Sequence, residues 1–195
     1  MEITTATIKE LRDRTGVSIM QCKKALEETA GDMEKAIVLL QKKSAGVAEK
    51  KSDRILKSGV IEAYVHNTHH VSAMVELLCE TDFVANNDEF RKIARDIAMH
   101  VSATNPQFLK IEDIDEHSMT LATEMLEKEV GDKPTDMKAK IVEGKLSAYW
   151  AERVLLEQQF IKNPELKIKD LVTSAVQKFG EKMELSRFVR FSISQ

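Results

Sequence analysis

The sequence predicts an α+β protein, with a three-helix domain at the N-terminus and a small antiparallel sheet that packs with helices and carries a helical-hairpin insertion. Three patterns support this fold class: helical spacing of apolar residues near the N-terminus, two alternating apolar runs after it, and a third alternating run at the end of the chain. The predicted organisation is a helical domain at 1–45, a basic linker at 46–57 and an α+β core at 58–195.

The N-terminal domain is predicted from three short helices with clear starts and stops. Thr4 or Thr5 can cap the first helix and Gly16 ends it. Ser18 can cap the second helix, and Gly31-Asp32 restarts the chain before the third. The apolar faces contain Ile8 and Leu11, then Ile19, Cys22, Ala25 and Leu26, then Met33, Ala36, Ile37 and Leu40. This module resembles ubiquitin-associated (UBA) domains, so a UBA-like domain is predicted.

The predicted linker is basic and rich in small residues. Basic residues lie on both sides of Ala45-Gly46. They are Lys42, Lys43, Lys50, Lys51, Arg54 and Lys57. Such a segment is typical of an exposed tether. RNA binding through it is a weaker hypothesis, because the chain has 29 Lys and Arg against 32 Asp and Glu, a net charge of -3. Direct nucleic-acid binding is therefore not expected.

The sheet is predicted from three alternating segments. Residues 60–66 and 71–79 are separated by four polar residues and form a predicted β-hairpin. Residues 185–193 alternate as well and should join as a third strand, with Leu185, Arg187, Val189, Phe191 and Ile193 on one side and Ser186, Phe188, Arg190 and Ser192 on the other. The face opposite the main core is expected to include Met74, Leu78 and Phe188.

Helical spacing accounts for the remaining apolar residues of the core. An amphipathic helix over 90–101 can cover one face of the sheet. A helical hairpin is predicted at about 115–147, with its tight turn at Asp132-Lys133-Pro134. A last helix over 168–179 ends at Gly180 and returns the chain to the sheet.

Composition and short motifs exclude several classes of protein. No apolar run approaches the roughly 18 to 20 residues of a membrane span, and no signal-like start is present, so a cytoplasmic location without membrane is expected. The two cysteines, Cys22 and Cys79, fit buried thiols in a reducing compartment. Neither an enzyme nor a cofactor is expected, because no phosphate loop, nucleophile elbow or HExxH segment occurs. His66, His69 and His70 are interpreted as a solvated turn and not as a metal site.

The most informative stretch begins where the second predicted strand ends. Thr81, Asp82, Phe83, Val84 and Ala85 set an acid beside an aromatic ring at a turn. Asn86 with Glu89 is interpreted as the N-cap of the following helix, and Ala85 with Phe90 as its hydrophobic staple. A short loop that is held at both ends can present side chains to a partner.

The run 79–85 closely resembles the signature of the elongation factor Ts family, the guanine-nucleotide exchange factors of elongation factor Tu. The resemblance covers nearly the whole chain, in the same order and spacing. Matching segments include Lys9-Glu10-Leu11-Arg12, Cys22-Lys23-Lys24-Ala25-Leu26, His100-Val101, Ile141-Val142-Glu143-Gly144-Lys145-Leu146 and Arg187-Phe188-Val189-Arg190-Phe191. Longer members contain two related subdomains, whereas this sequence has the hairpin once and therefore resembles the short bacterial form.

The resemblance implies a function and assigns roles to particular residues. Phe83 is the expected wedge that enters elongation factor Tu, Asp82 interferes near its Mg²⁺ site, and Thr81, Val84 and Ala85 form the base of the loop. Arg12, Met20 and Lys23 match positions associated with docking. A homodimer is also implied, in which a second chain covers the remaining sheet face. The alternative is a docking or scaffold module that uses the UBA-like domain without promoting nucleotide release.

Overall fold

Helices and antiparallel strands are mixed along the chain in the computed structural model, which describes residues 3–131 and 135–193, and the predicted α+β class is confirmed. The helices are α1 (Thr5–Thr15), α2 (Ile19–Glu28), α3 (Met33–Glu49), α4 (Asp82–Ala85), α5 (Asp88–Thr104), α6 (Glu116–Val130), α7 (Thr135–Ala151) and α8 (Ile168–Phe179). The strands are β1 (Ser58–Val65), β2 (Val71–Cys79), β3 (Gln159–Phe160), β4 (Asn163–Lys167) and β5 (Met183–Ser192). These elements form two units. One contains the described residues up to Ala103 and from Gln159 onward, and the other is Thr104–Gln158.

The three N-terminal helices form as predicted, and local caps explain their limits. The Thr4 hydroxyl accepts a hydrogen bond from the Thr7 amide at 3.2 Å, and the Ser18 hydroxyl accepts one from the Gln21 amide at 3.4 Å. Gly16 follows α1 with a φ of 70°, a left-handed conformation that glycine adopts without strain. A buried cluster joins the three helices and contains Leu11, Val17, Cys22, Ala25, Leu26, Ala36, Ile37 and Leu40.

The basic segment that was predicted as an exposed tether departs from that prediction in two ways. Helix α3 continues to Glu49, so Lys42, Lys43 and residues 46–49 are helical. Beyond the helix, Lys51 donates to the Gly180 carbonyl at 2.6 Å, and Arg54 pairs with Glu80 at 3.1 Å. The segment is therefore held against the rest of its unit and is not a free tether. The division into domains at 1–45, 46–57 and 58–195 stays a prediction.

The main sheet has the strand order β1-β2-β5, with both pairs antiparallel. The predicted hairpin is confirmed, although β1 begins at Ser58 and ends at Val65, earlier than the predicted 60–66. Ala73, Val75, Leu77 and Cys79 alternate on the buried face of β2. Helices α5 and α8 meet through the Phe90 and Phe179 rings, whose centroids lie 6.0 Å apart in an edge-to-face contact.

The predicted sides of the terminal strand are wrong for part of β5. Glu76 is opposite Arg187 and Leu77 is opposite Leu185, so Ser186 is an extra residue in the ladder. A bulge of this kind shifts the alternation that follows it. Phe188 consequently pairs with buried Val75 and lies on the covered face, not on the face of Met74 where it was predicted. The local pattern of β5 does not reveal the extra residue.

The second unit contains the predicted helical hairpin, α6 and α7, whose helices contact each other. The predicted turn at Asp132-Lys133-Pro134 lies outside the described residues. Trp150 is buried in this unit with Ala122 and Val154. In the first unit, β3 and β4 pair as a short hairpin that the sequence patterns do not predict. Arg14 of α1 reaches this hairpin, since its Nε lies 2.7 Å from the Glu165 carboxylate.

Candidate functional site

The turn after β2 is a short helix and not an irregular loop. Thr81 is the N-cap of the four-residue helix α4, and its hydroxyl accepts a hydrogen bond from the Val84 amide at 3.4 Å. The Thr81 carbonyl accepts one from the Ala85 amide at 3.2 Å. Cys79, the last residue of β2, donates its thiol proton to the same carbonyl at 3.2 Å. The predicted loop residues therefore lie on one helical turn that directly follows the end of the central strand β2.

This turn separates its side chains into an outer and an inner pair. Asp82 is exposed, and Phe83 exposes 82% of its surface. Val84 and Ala85 are buried, and α4 contacts both β1 and β2. The fold thus buries the base of the turn and leaves the phenyl ring in solvent. Because large apolar side chains of this kind are usually buried, Phe83 is a candidate for contact with a partner.

The far end of the turn is held by side-chain contacts that differ from the predicted cap. Asn87, and not Asn86, begins the next helix, because its Oδ1 accepts a hydrogen bond from the Glu89 amide at 2.9 Å. Asn86 instead ends α4. The Asn86 Oδ1 accepts a hydrogen bond from Nη2 of Arg91 at 2.9 Å, and the Ala85 carbonyl accepts one from Arg91 Nε at 3.3 Å. Because Asn86 is the C-cap of α4, the cap of the next helix falls one residue later than predicted, at Asn87.

The near end of the turn is held by residues that sequence patterns do not identify. The Glu181 carboxylate accepts hydrogen bonds from the Glu80 amide at 3.1 Å and from the Thr81 amide at 3.0 Å. The Thr81 hydroxyl donates to the same carboxylate at 2.6 Å. Glu181 is 100 positions from Thr81, so no local motif signals the contact. Only the pairing of β2 with β5 brings the two residues together.

The predicted docking residues lie on the first two helices. Met20 exposes 81% of its surface, which excludes a packed role in the core, and its neighbour Ile19 exposes 57%. Lys23 follows on the same helix and lies 3.8 Å from Glu27, in an exposed pair. Arg12 is exposed on α1, and α1 contacts α2. An apolar side chain with cations on the same small helical unit can bind a partner surface with an apolar pocket and acidic surroundings.

The two cysteines, Cys22 and Cys79, are both buried in this fold. Burial raises the pKa of the Cys22 thiol and, together with the nearby Glu181 carboxylate, that of the Cys79 thiol. Both cysteines are therefore held protonated, as expected of buried structural thiols. Within residues 3–131 and 135–193, no three His, Cys, Asp or Glu side chains are grouped to hold a metal ion. No helix of the described residues is long and apolar enough to cross a bilayer.

Known proteins resemble this chain from end to end. The family model described as "Elongation factor TS" matches residues 17–195. The chain belongs to the elongation factor Ts family. Among the curated members, the elongation factor Ts of Thermodesulfovibrio yellowstonii is 48% identical over 100% of this chain and 98% of its own length. That of Carboxydothermus hydrogenoformans is 46% identical over 99% of this chain and 90% of its own length, and that of Thermotoga petrophila is 44% identical over 100% and 98%.

Membership of the elongation factor Ts family identifies the chain as a translation elongation factor. The roles of the individual residues stay predictions: Thr81, Asp82, Phe83, Val84 and Ala85 for nucleotide release, and Arg12, Met20 and Lys23 for docking. The first group shares one helical turn, and the second group lies on α1 and α2.

Proposed function

We propose that this protein is a guanine-nucleotide exchange factor for elongation factor Tu. It binds the GDP complex of that partner, disturbs the Mg²⁺ and phosphate site, and promotes release of GDP so that GTP can bind. The observation that carries the proposal is Phe83, a ring 82% exposed on a turn whose next two residues are buried. A phenyl ring kept in solvent contributes little to the core, and a partner that buries it gains free energy.

The proposed mechanism requires displacement and no covalent chemistry, so the protein is not an enzyme in the usual sense. The Phe83 ring enters the nucleotide domain of the partner and shifts the elements that hold Mg²⁺ and the β-phosphate. Burial of a phenyl group contributes about 1.5 to 3 kcal/mol, or roughly one to two orders of magnitude in an equilibrium constant. By linkage, nucleotide must weaken the binding of this protein by the same factor as the protein weakens nucleotide binding, so the ternary complex is transient.

The other residues of the turn have separate roles in this mechanism. Asp82 is exposed next to Phe83 and carries a negative charge toward the site from which Mg²⁺ must leave. Thr81 begins the helical turn through its cap, whereas buried Val84 and Ala85 anchor the turn on the sheet. The ring and the carboxylate act on the partner, and the other three residues hold them in place.

The N-terminal helices supply affinity in the proposed complex. Met20 is the apolar anchor, and Arg12 and Lys23 provide positive charge around it. A side chain that is 81% exposed loses most contact with water when a partner pocket encloses it. This contact forms in the bound state whether or not Phe83 is inserted. The docking or scaffold alternative corresponds to this contact alone.

We also propose that two copies of the chain associate through the open sheet face, defined as the exposed apolar residues opposite the buried side of the main sheet. They are Ile61, Val65, Met74, Val189, Phe191 and Ile193. Strand pairing places Ala63, Met74 and Val189 in one row across this face. A second copy offers the same apolar surface, and the two faces can pack as a sheet sandwich. The homodimer acts in the cytoplasm, where elongation takes place, and without direct nucleic-acid binding.

The release of a fluorescent GDP analogue from elongation factor Tu, measured by stopped flow, tests the proposal. Wild type should accelerate release, and Phe83→Ala should lose about one to two orders of magnitude of that acceleration while it still binds the partner. Leu121→Ala is the matched control, because Leu121 is 53% exposed on α6, outside the candidate site, and this variant should keep the wild-type rate. Binding without accelerated release in the wild type would favour the docking or scaffold alternative instead.

A further inference from the structure

The carboxylate of Glu181 is placed to control the start of the helical turn that carries Phe83. It lies directly after Gly180, the residue that ends α8 with a φ of 72°, and before β5 begins at Met183. Its Oε2 accepts hydrogen bonds from the amides of Glu80 and Thr81, and its Oε1 accepts one from the Thr81 hydroxyl at 2.6 Å. Hydrogen bonds to an ionised acceptor are shorter and stronger than neutral ones.

A second carboxylate makes the reciprocal contact. Glu80 accepts a hydrogen bond from the backbone amide of Lys182, and Nη1 of Arg54 lies 3.1 Å from each of its oxygens. The Lys182 amide, followed by Arg54, holds the pKa of the Glu80 carboxyl below its ordinary value. Segments 80–81 and 181–182 are therefore joined in both directions. The exit of β2 is fixed to the entry of β5 directly before the helical turn that carries Phe83.

The helix α4 cannot fix its own direction. Four residues form one turn, and such a turn is unstable without outside contacts because nucleation is unfavourable. The start of α4 is capped by the Thr81 hydroxyl. This hydroxyl accepts a hydrogen bond from the Val84 amide and donates one to the Glu181 carboxylate. The Thr81 side chain is thus held in the rotamer that caps the turn. Removal of Glu181 leaves the cap free to rotate and the two amides of the strand exit without this acceptor.

We propose that Glu181 is a positioning residue, which acts through Thr81 to hold the Phe83 ring in the orientation that enters elongation factor Tu. The inference rests on the proposed exchange function and adds a residue that is not part of the Thr81–Ala85 motif. Glu181 itself need not touch the partner. Glu181 restricts the conformations of the turn in the free protein, so the turn loses less conformational entropy on binding. The Phe83 ring therefore inserts productively at a higher rate.

Four variants separate positioning from a general effect on the fold: Glu181→Ala, Glu181→Gln, Phe83→Ala and the double variant Glu181→Ala with Phe83→Ala. At saturating exchange factor, Glu181→Ala should slow GDP release by about tenfold, given the loss of three hydrogen bonds to a charged acceptor. Glu181→Gln should stay within about twofold of wild type, because its amide oxygen can accept from both backbone amides and its NH₂ group can donate to the Thr81 hydroxyl. In the Phe83→Ala background, Glu181→Ala should cause no further loss.

The matched control is Glu152→Ala, which removes a side chain that is 82% exposed and outside the turn. It should keep the wild-type rate of release. An equal slowing by Glu181→Ala with and without Phe83 would overturn the positioning role, because the effect would then not pass through the ring. A Glu181→Ala rate equal to that of wild type would overturn it as well.

Hydrogen–deuterium exchange of the free proteins gives a second measurement that does not depend on the partner. Glu181→Ala should accelerate exchange at the Glu80 and Thr81 amides by at least about tenfold, whereas amides in α1 and α2 should not change. Unchanged protection at these two amides would show that Glu181 does not hold the turn, even if GDP release is accelerated by wild type. Accelerated amide exchange in Glu181→Ala, together with no effect of wild type on GDP release, would instead reject the exchange function, while the role of Glu181 in holding the Glu80 and Thr81 amides would stand.

Discussion

The Phe83 turn and the open sheet face both expose apolar side chains, but their surroundings differ. Phe83 is one ring beside the exposed acid Asp82, on a four-residue helix. The open sheet face is a set of neighbouring side chains across three strands, with Phe191 at 63% exposure and Ile193 at 74%. An isolated apolar group suits a contact that must form and break, whereas a broad apolar face suits a partner that stays bound.

The two regions also differ in how they are held. The open sheet face is supported by antiparallel pairing along β1, β2 and β5, which is interrupted in the β2–β5 pair by the bulge at Ser186. The Phe83 turn depends on a few side chains from distant segments, namely Glu181 at its start and Arg91 at its end. Exposure alone does not separate the proposed nucleotide-release element from the proposed assembly surface. The size of the patch and the way in which its backbone is held distinguish them.

The largest expected effect comes from a charge placed on the open sheet face. Wild type should sediment at twice the 22.1 kDa mass of the chain, and Phe191→Asp should sediment at the mass of one chain at micromolar concentration. A carboxylate buried between two apolar faces without a partner costs several kcal/mol, which weakens association by at least about a hundredfold.

The control for this variant places the same charge on an exposed apolar position elsewhere. Leu121→Asp on α6 should keep the wild-type sedimentation. A wild-type chain that sediments as a single copy at all accessible concentrations would contradict the dimer and would leave the open sheet face to another partner. Retention of the dimer by Phe191→Asp would assign the dimer contact to a different surface.

A smaller effect is expected at the docking helices. Met20→Ala should weaken the affinity for elongation factor Tu by about tenfold, since a buried methionine side chain contributes roughly 1.5 to 3 kcal/mol. The rate of GDP release at saturation should stay unchanged, because Phe83 is intact. Titration of the exchange rate against exchange-factor concentration measures both quantities. Loss of the saturating rate would show that Met20 takes part in nucleotide displacement and would remove the proposed separation of the two sites.

Sequence patterns predicted the elements whose contacts are local. Ser18, Gly16 and Gly180 marked helix ends correctly because caps depend on residues three or four positions apart. The strand 71–79 was predicted with its observed limits, because one buried face imposes strict alternation. Asp82 and Phe83 were correctly placed just after a strand end, although the short helix Asp82–Ala85 that contains them was not predicted.

The missed features depend on contacts between distant segments. The bulge at Ser186 arises from the pairing of β5 with β2, so the sequence of β5 alone placed Phe188 on the wrong face. The Glu181 carboxylate lies next to Thr81 because that same pairing brings the end of β2 close to the start of β5. The basic segment after α3 was predicted as a tether because the composition around Lys51 and Arg54 is typical of linkers, but both side chains find acceptors in the folded unit. A basic, polar composition indicates that a segment is exposed to solvent. It does not show which hydrogen-bond acceptors elsewhere in the fold its side chains will contact.

The smallest expected effect is a pH dependence of the contact between segments 80–81 and 181–182. Glu80 has a pKa below its ordinary value because the Lys182 amide, followed by Arg54, favours the ionised form. A depressed pKa in the folded state gives stability that is present above the ordinary carboxyl pKa, near 4.5, and is lost as the pH falls through the lowered value. Glu80→Gln should therefore lower Tm by about 1 to 2 °C at pH 7. This difference from wild type should shrink below pH 4.5, whereas an equal difference at pH 7 and in acid would mean that the Glu80 contact acts through shape and not through charge.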